Sequence, residues 1–169
     1  MTLAPFLVQP LEIQLHLAGA LVALVLGPFA LWRRRRDRLH KVLGYAWVSA
    51  MVLAVASSLF IESHWSPIFF GPIHLLTLYA GYGLWEGMRA ILRGDVPTHR
   101  ATMQALYCRG LLIAGAFAFL PGRTMQELLL PEAPQAGYLL ILFAVLVAVR
   151  PVPTPRPRGA SGEIWQNGS

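Results

Sequence analysis

The chain has 169 residues, the size of one domain, yet 56% of it is hydrophobic and only 13% charged. Soluble chains run at roughly 45–50% and about 25%, and a single core of this size cannot hide the excess. One cysteine, Cys108, excludes a disulfide scaffold. The net charge of +6 sits between apolar blocks, which reads as membrane topology and not as a nucleic-acid surface.

The first apolar block runs from Leu11 to Trp32 and stops against Arg33–Arg36. The second runs from Val42 to Ile61 and ends at Glu62–Pro67, with His64 an ordinary surface residue. The third starts near Ile68 and continues amphipathically through Glu86 and Arg89 to Leu92. The fourth, Ala101 to Leu120, is interrupted by Gln104 and Arg109 and stopped by Pro121-Gly122. Four blocks are near the ~20 residues that cross ~30 Å of hydrocarbon. The fifth, Ala136 to Val149, is shorter and reads as a short fifth span. The predicted fold is all-α: an up-down four-helix transmembrane bundle plus a short fifth hydrophobic helix, in residues 1–150. Residues 151–169 follow as a Pro-rich, disordered tail.

Twelve of the fourteen Lys and Arg fall in the first inner loop, the second inner loop or the tail. Arg123 stands alone on the opposite side, and Arg109 lies within a span. The positive-inside rule places the twelve in the cytoplasm, with the amino terminus outside and the carboxyl terminus inside. Met1–Pro10 carries no Lys or Arg, so no signal-peptide start is expected and span one is expected to be retained.

Each of the first four spans carries or closely follows one histidine. His16 and His74 lie about six residues inside the outer ends of spans one and three. His40 and His99 precede spans two and four at the inner side. In an up-down bundle these are two diagonal pairs, facing each other across the core where bundles build cofactor sites. Two opposed imidazoles are what a six-coordinate haem iron requires, so one or two haem b groups are expected, with His16, His74, His40 and His99 as metal ligands. Gly19, Gly44 and Gly81 would clear room for the macrocycle on the faces of His16, His40 and His74. Membrane helices also pack through such residues without any cofactor. His40 and His99, beside Lys41 and Arg100, could equally be ordinary interfacial residues.

Arg109, about 14 Å along its helix from Arg100, is costly in hydrocarbon and should face the bundle interior, a cavity or an acidic group. A haem propionate, a quinone oxygen and Glu86 are its candidate partners. Glu86 and Arg89 are spaced to pair with each other at the interface. Cys108 is a small apolar filler.

Several strings stand in order here: Leu15-His16-Leu17-Ala18-Gly19, Gly27-Pro28-Phe29, Leu39-His40-Lys41-Val42-Leu43-Gly44, Phe70-Gly71-Pro72-Ile73-His74, Arg93-Gly94-Asp95 with His99-Arg100, and Pro121-Gly122-Arg123. Together, over Leu11 to Arg123, they resemble a bacterial family of small multi-span predicted membrane proteins of unknown function. The resemblance implies a membrane location and a four-span core, and no particular activity; the expected location is the bacterial inner membrane. Lys41 stands where that family is expected to carry arginine. The plan is also similar, in architecture alone, to the two-haem transmembrane cytochromes of the b type.

The leading expectation is therefore a haem-binding transmembrane electron carrier in the lipid bilayer, exchanging electrons with quinone or a redox partner protein. It is not a stand-alone enzyme in this reading, and it binds no nucleic acid. The alternatives are a non-catalytic membrane subunit or assembly factor with structural histidines, and a small transporter using Arg109, Glu86 and the histidines as a relay. The transporter is weakest because no span is unwound at its centre.

Overall fold

Asp37 and Asp95 set where two of the long helices begin. In the computed structural model, which describes residues 4–33, 35, 37–61, 72–130, 132–133 and 135–149, each aspartate is an N-cap. Asp37 accepts the backbone N–H of His40 at 3.0 Å, and Asp95 accepts that of Thr98 at 3.2 Å. These bonds satisfy donors that the first helical turn leaves without partners. The readings for residues 62–71, including His64, and for the tail from 150 onward lie outside the described residues.

The described residues form helices and no strands: α1 (Ala4–Leu7), α2 (Leu11–Leu31), α3 (Arg38–Ser58), α4 (Pro72–Leu92), α5 (Val96–Ala105), a π-helical segment (Leu106–Leu111), α6 (Leu112–Ala118), α7 (Thr124–Leu129) and α8 (Ala136–Val149). The all-helical class and all five apolar blocks are present. The second and fourth helices begin earlier than hydropathy suggested, at Arg38 and Val96, because the aspartate caps start them before the apolar stretch. Gly94 and Gly122 take positive φ of 77°, the left-handed conformation in which the chain turns after α4 and after α6.

α2 packs on α3, α3 on α4, and α4 on α5 and the π segment, which close back onto α2. The four long helical runs thus form a ring, with α2 facing α4 and α3 facing α5 along the diagonals. Ala23, Trp47, Met51, Leu84, Met103, Leu106 and Tyr107 fill its centre, drawn from all four sides. Outside the ring α8 lies against α6 and the π segment. Its start abuts the Phe119 carbonyl, where a Cβ on Gly137 would sit 2.1 Å from the oxygen. Its end reaches Arg109. The fifth helix therefore runs back along the second half of the fourth helical run, and its 14 residues measure about 21 Å.

Two helices, Leu11–Leu31 and Arg38–Ser58, are long and apolar enough to cross a membrane. The ring's outer face is apolar too, with Val25, Phe29, Val52, Leu75, Tyr82, Leu139 and Phe143 exposed. That is far more contiguous apolar surface than a water-facing domain carries.

Candidate functional site

The polar groups of this apolar bundle sort into three layers. At the end where α2 starts, His16 donates its Nδ1–H to the Ala54 carbonyl of α3 at 2.8 Å. A carbonyl only accepts, so this bond assigns a proton to Nδ1 and leaves Nε2 outside the bond. The same carbonyl accepts the Ser57 hydroxyl at 3.2 Å. Ser58 and Thr77 hydrogen-bond to each other at 2.7 Å between α3 and α4, and Thr77 lies one turn from the buried His74. His16 and His74 thus flank the same end of α3, each in a layer of hydroxyls and carbonyls. Gly19 lets α3 come close: a Cβ there would sit 2.8 Å from the Ala50 carbonyl oxygen. Gly81 has only an ordinary contact, 3.6 Å to Val55. The small face beside His16 is therefore occupied by protein backbone.

From the middle of the bundle to the inner end of α2, three side chains hydrogen-bond to α2 carbonyls. Trp47 donates Nε1–H to Ala23 at 3.0 Å, Tyr107 its hydroxyl to Leu24 at 3.0 Å, and Gln104 its amide to Leu31 at 3.2 Å. Pro28 lies inside α2 and has no N–H, so the Leu24 carbonyl four residues earlier lacks its helical donor. Tyr107 supplies it. The ring fits only because position 27 is glycine, where a Cβ would lie 2.0 Å from Tyr107 Cε2. Tyr107 belongs to the π segment, which hydropathy could not reveal. Its one sequence signal was Gly27-Pro28, which announces an orphaned carbonyl.

At the opposite end, His99 donates Nδ1–H to the Gly87 carbonyl at 2.7 Å, again committing Nδ1 and not Nε2. His40 stands on the first turn of α3, diagonal to α5. Its Nδ1 is buried and has no hydrogen-bond partner among the described residues. One turn on, a Cβ at Gly44 would meet nothing within 4 Å, although Gly44 continues the stripe that buries Trp47, Ala50 and Met51. An orphaned imidazole nitrogen and open space thus lie on one helix face at this level. Among the described residues no group of three or more His, Cys, Asp or Glu side chains is gathered as for a metal ion.

Arg109 differs from expectation. It is exposed on the outside of the ring and donates Nε–H to the Ala148 carbonyl at 3.4 Å. The last turn of a helix leaves such carbonyls without partners, so the arginine attaches α8. Arg89 lies over the Trp85 ring, 4.8 Å from its centroid, and not against Glu86. Cys108 is buried and free, as a filler would be. In the loop before α3, Arg33 pairs with Asp37. That hydrogen bond, with the His40 N–H, holds the Asp37 carboxyl well below the usual carboxylate range.

No curated protein and no solved structure matches the chain. A family model does: the one described as Predicted membrane protein (DUF2306) matches residues 13–148, most of the chain and every long helix. On that match the chain belongs to this family of predicted membrane proteins.

Proposed function

We propose that the protein is a multi-pass membrane protein whose four long helical runs cross the bilayer, and that it carries electrons through a b-type haem held by His40 and His99. By the positive-inside rule the twelve basic residues favour an outside amino terminus and cytoplasmic loops before α3 and α5. The observation that carries the haem assignment is the buried, unpartnered Nδ1 of His40 beside the open space at Gly44. A polar nitrogen left without a partner in an apolar interior costs several kcal/mol, roughly, and a ligand removes that cost.

His99 fits the role for a second reason. Metal-ligating histidines almost always commit one ring nitrogen to a carbonyl or carboxylate, which fixes the tautomer and aims the other, and Gly87 does this for His99. His16 has the same tautomer through Ala54. Its clearance is filled by α3, so His16 is assigned to holding α2 and α3 together. Bound at the inner level, a haem would supply one-electron exchange. The chain's own residues would orient the imidazoles and exclude water from them.

A second reading, a membrane subunit whose four histidines are all interhelical ties, is favoured by the His16–Ala54 bond and the filled centre. Visible absorbance of protein purified in detergent from haem-replete cells separates the two. A Soret band lost in both His40→Ala and His99→Ala, and kept in His16→Ala, supports the carrier. Colourless protein that is folded and monodisperse overturns it.

A further inference from the structure

The two helix hairpins repeat one another. His16 precedes the cap Asp37 by 21 residues, and His74 precedes the cap Asp95 by the same 21. Each cap has an arginine two residues before it, Arg35 and Arg93, and a histidine in the turn after it, His40 three residues on and His99 four, a slip of one residue between the hairpins. Each histidine is followed directly by a cation, Lys41 or Arg100. Seven residues past these histidines stand Trp47 and Leu106, each 1% exposed, two of the three largest fully buried side chains.

The packing has the matching symmetry. Exchanging α2–α3 with α4–α5 turns the α3–α4 side of the ring into the α5–α2 side, and both sides exist. Within the hairpins, Trp47 bonds to the Ala23 carbonyl of α2, and its counterpart Leu106 lies on Gly83 of α4. Unrelated helices have no reason to share capping, spacing and anchor position at once.

We infer that the chain is a tandem duplication of one helix hairpin around a pseudo-two-fold axis along the bundle, and that the inner ligand lies on this axis, held by two copies of one histidine position. This rests on the proposed function for the presence of a ligand, but not for the symmetry. The equivalence also places Lys41 and Arg100 as a matched pair of cations beside the two imidazoles. The ligand class that fits is a planar metal chelate, coordinated on both faces and carrying anionic groups on the edge toward the loops.

Cysteine cross-linking of the full chain in membranes, in a Cys108→Ser background, tests the symmetry without reference to pigment. His40→Cys with His99→Cys, and Gly44→Cys with Met103→Cys, should each be joined by a short bis-maleimide. His40→Cys with His74→Cys, at opposite levels, should not be. Absence of both equivalent cross-links in folded, monodisperse protein overturns the duplication. The second pair keeps the test valid if replacing the histidines prevents folding. In pigmented protein, Lys41→Gln and Arg100→Gln should shift the redox midpoint in the same direction, and opposite shifts would sink the matched-cation assignment. Cross-links in colourless protein would remove the haem and keep the symmetry; pigment without cross-links would do the reverse.

Discussion

The Tyr107 hydroxyl donates to the Leu24 carbonyl, the acceptor that Pro28 deprives of its helical partner. A helix defect in α2 is thus repaired by a side chain 83 positions away in the chain. The π segment that carries Tyr107 bonds Leu112 N–H to the Tyr107 carbonyl, five residues back. That is the wider turn found where a helix is locally adjusted, often at functional positions. Gly27, Pro28 and Tyr107 form one joint, which ties the first hairpin to the second.

The joint makes a coupled prediction. Tyr107→Phe should destabilise the purified protein by about 1 kcal/mol, the scale for an interhelical hydrogen bond in a membrane bundle. Pro28→Ala restores the N–H that Leu24 lacks, so Tyr107→Phe should cost much less in that background. Equal costs in both backgrounds, measured by denaturant titration in detergent, would disconnect the proline from the tyrosine. Gly27→Ala should cost more, roughly 1–3 kcal/mol, because the tyrosine ring already occupies the added methyl's place.

Arg109→Leu should loosen α8 and leave the ring intact. Backbone amides of Ala136–Val149 are expected to exchange faster in hydrogen-exchange mass spectrometry, while those of α2 and α3 hold. A change at the inner histidines, seen as a shifted absorbance or midpoint, would mean that Arg109 acts on the core and not on the helix end it caps.

The acid side of the stability profile should depend on Asp37. Its carboxyl is held below its ordinary value of 3.8, first by the Arg33 hydrogen bond and then by the His40 N–H. A depressed folded-state value means the contribution is fully present above the unfolded value and is lost as pH falls through the folded one. Asp37→Asn should therefore lower stability near pH 7, where the contribution is fully present, and converge with the parent as pH falls below about 4, flattening the acid limb. The pair is partly open to solvent, so added salt should shrink the difference. An unchanged acid limb in Asp37→Asn would assign it to other carboxylates.

Topology is checked by thiol labelling in intact cells, in the Cys108→Ser background. Ser63→Cys should label from outside, and Ser161→Cys should not. α8 is about 21 Å long and ends beside Arg109, so Ser161 is the more searching of the two positions. Outside labelling at both would make α8 a half-span that returns to the surface it left.

Much of this protein was legible in its residues, for reasons local to the chain. Apolar runs and the Pro121-Gly122 stop act within a few neighbours, so the number and order of the long apolar helices follow from them, while the aspartate-capped starts at Arg38 and Val96 did not. The histidine levels follow as well, since depth along a helix is counted at about 1.5 Å per residue. What a side chain meets across the bundle is not local. Only the packed bundle pointed Arg109 outward to Ala148 and turned His16 to Ala54; it also moved Arg89 onto Trp85 and brought Tyr107 to Leu24. In an apolar chain nearly every face of a helix is hydrophobic, so periodicity cannot say which face is core. Shape decides it. Gly19 and Gly27 admit a neighbour's backbone and ring, and those close approaches rotate every polar side chain to the partner it finds.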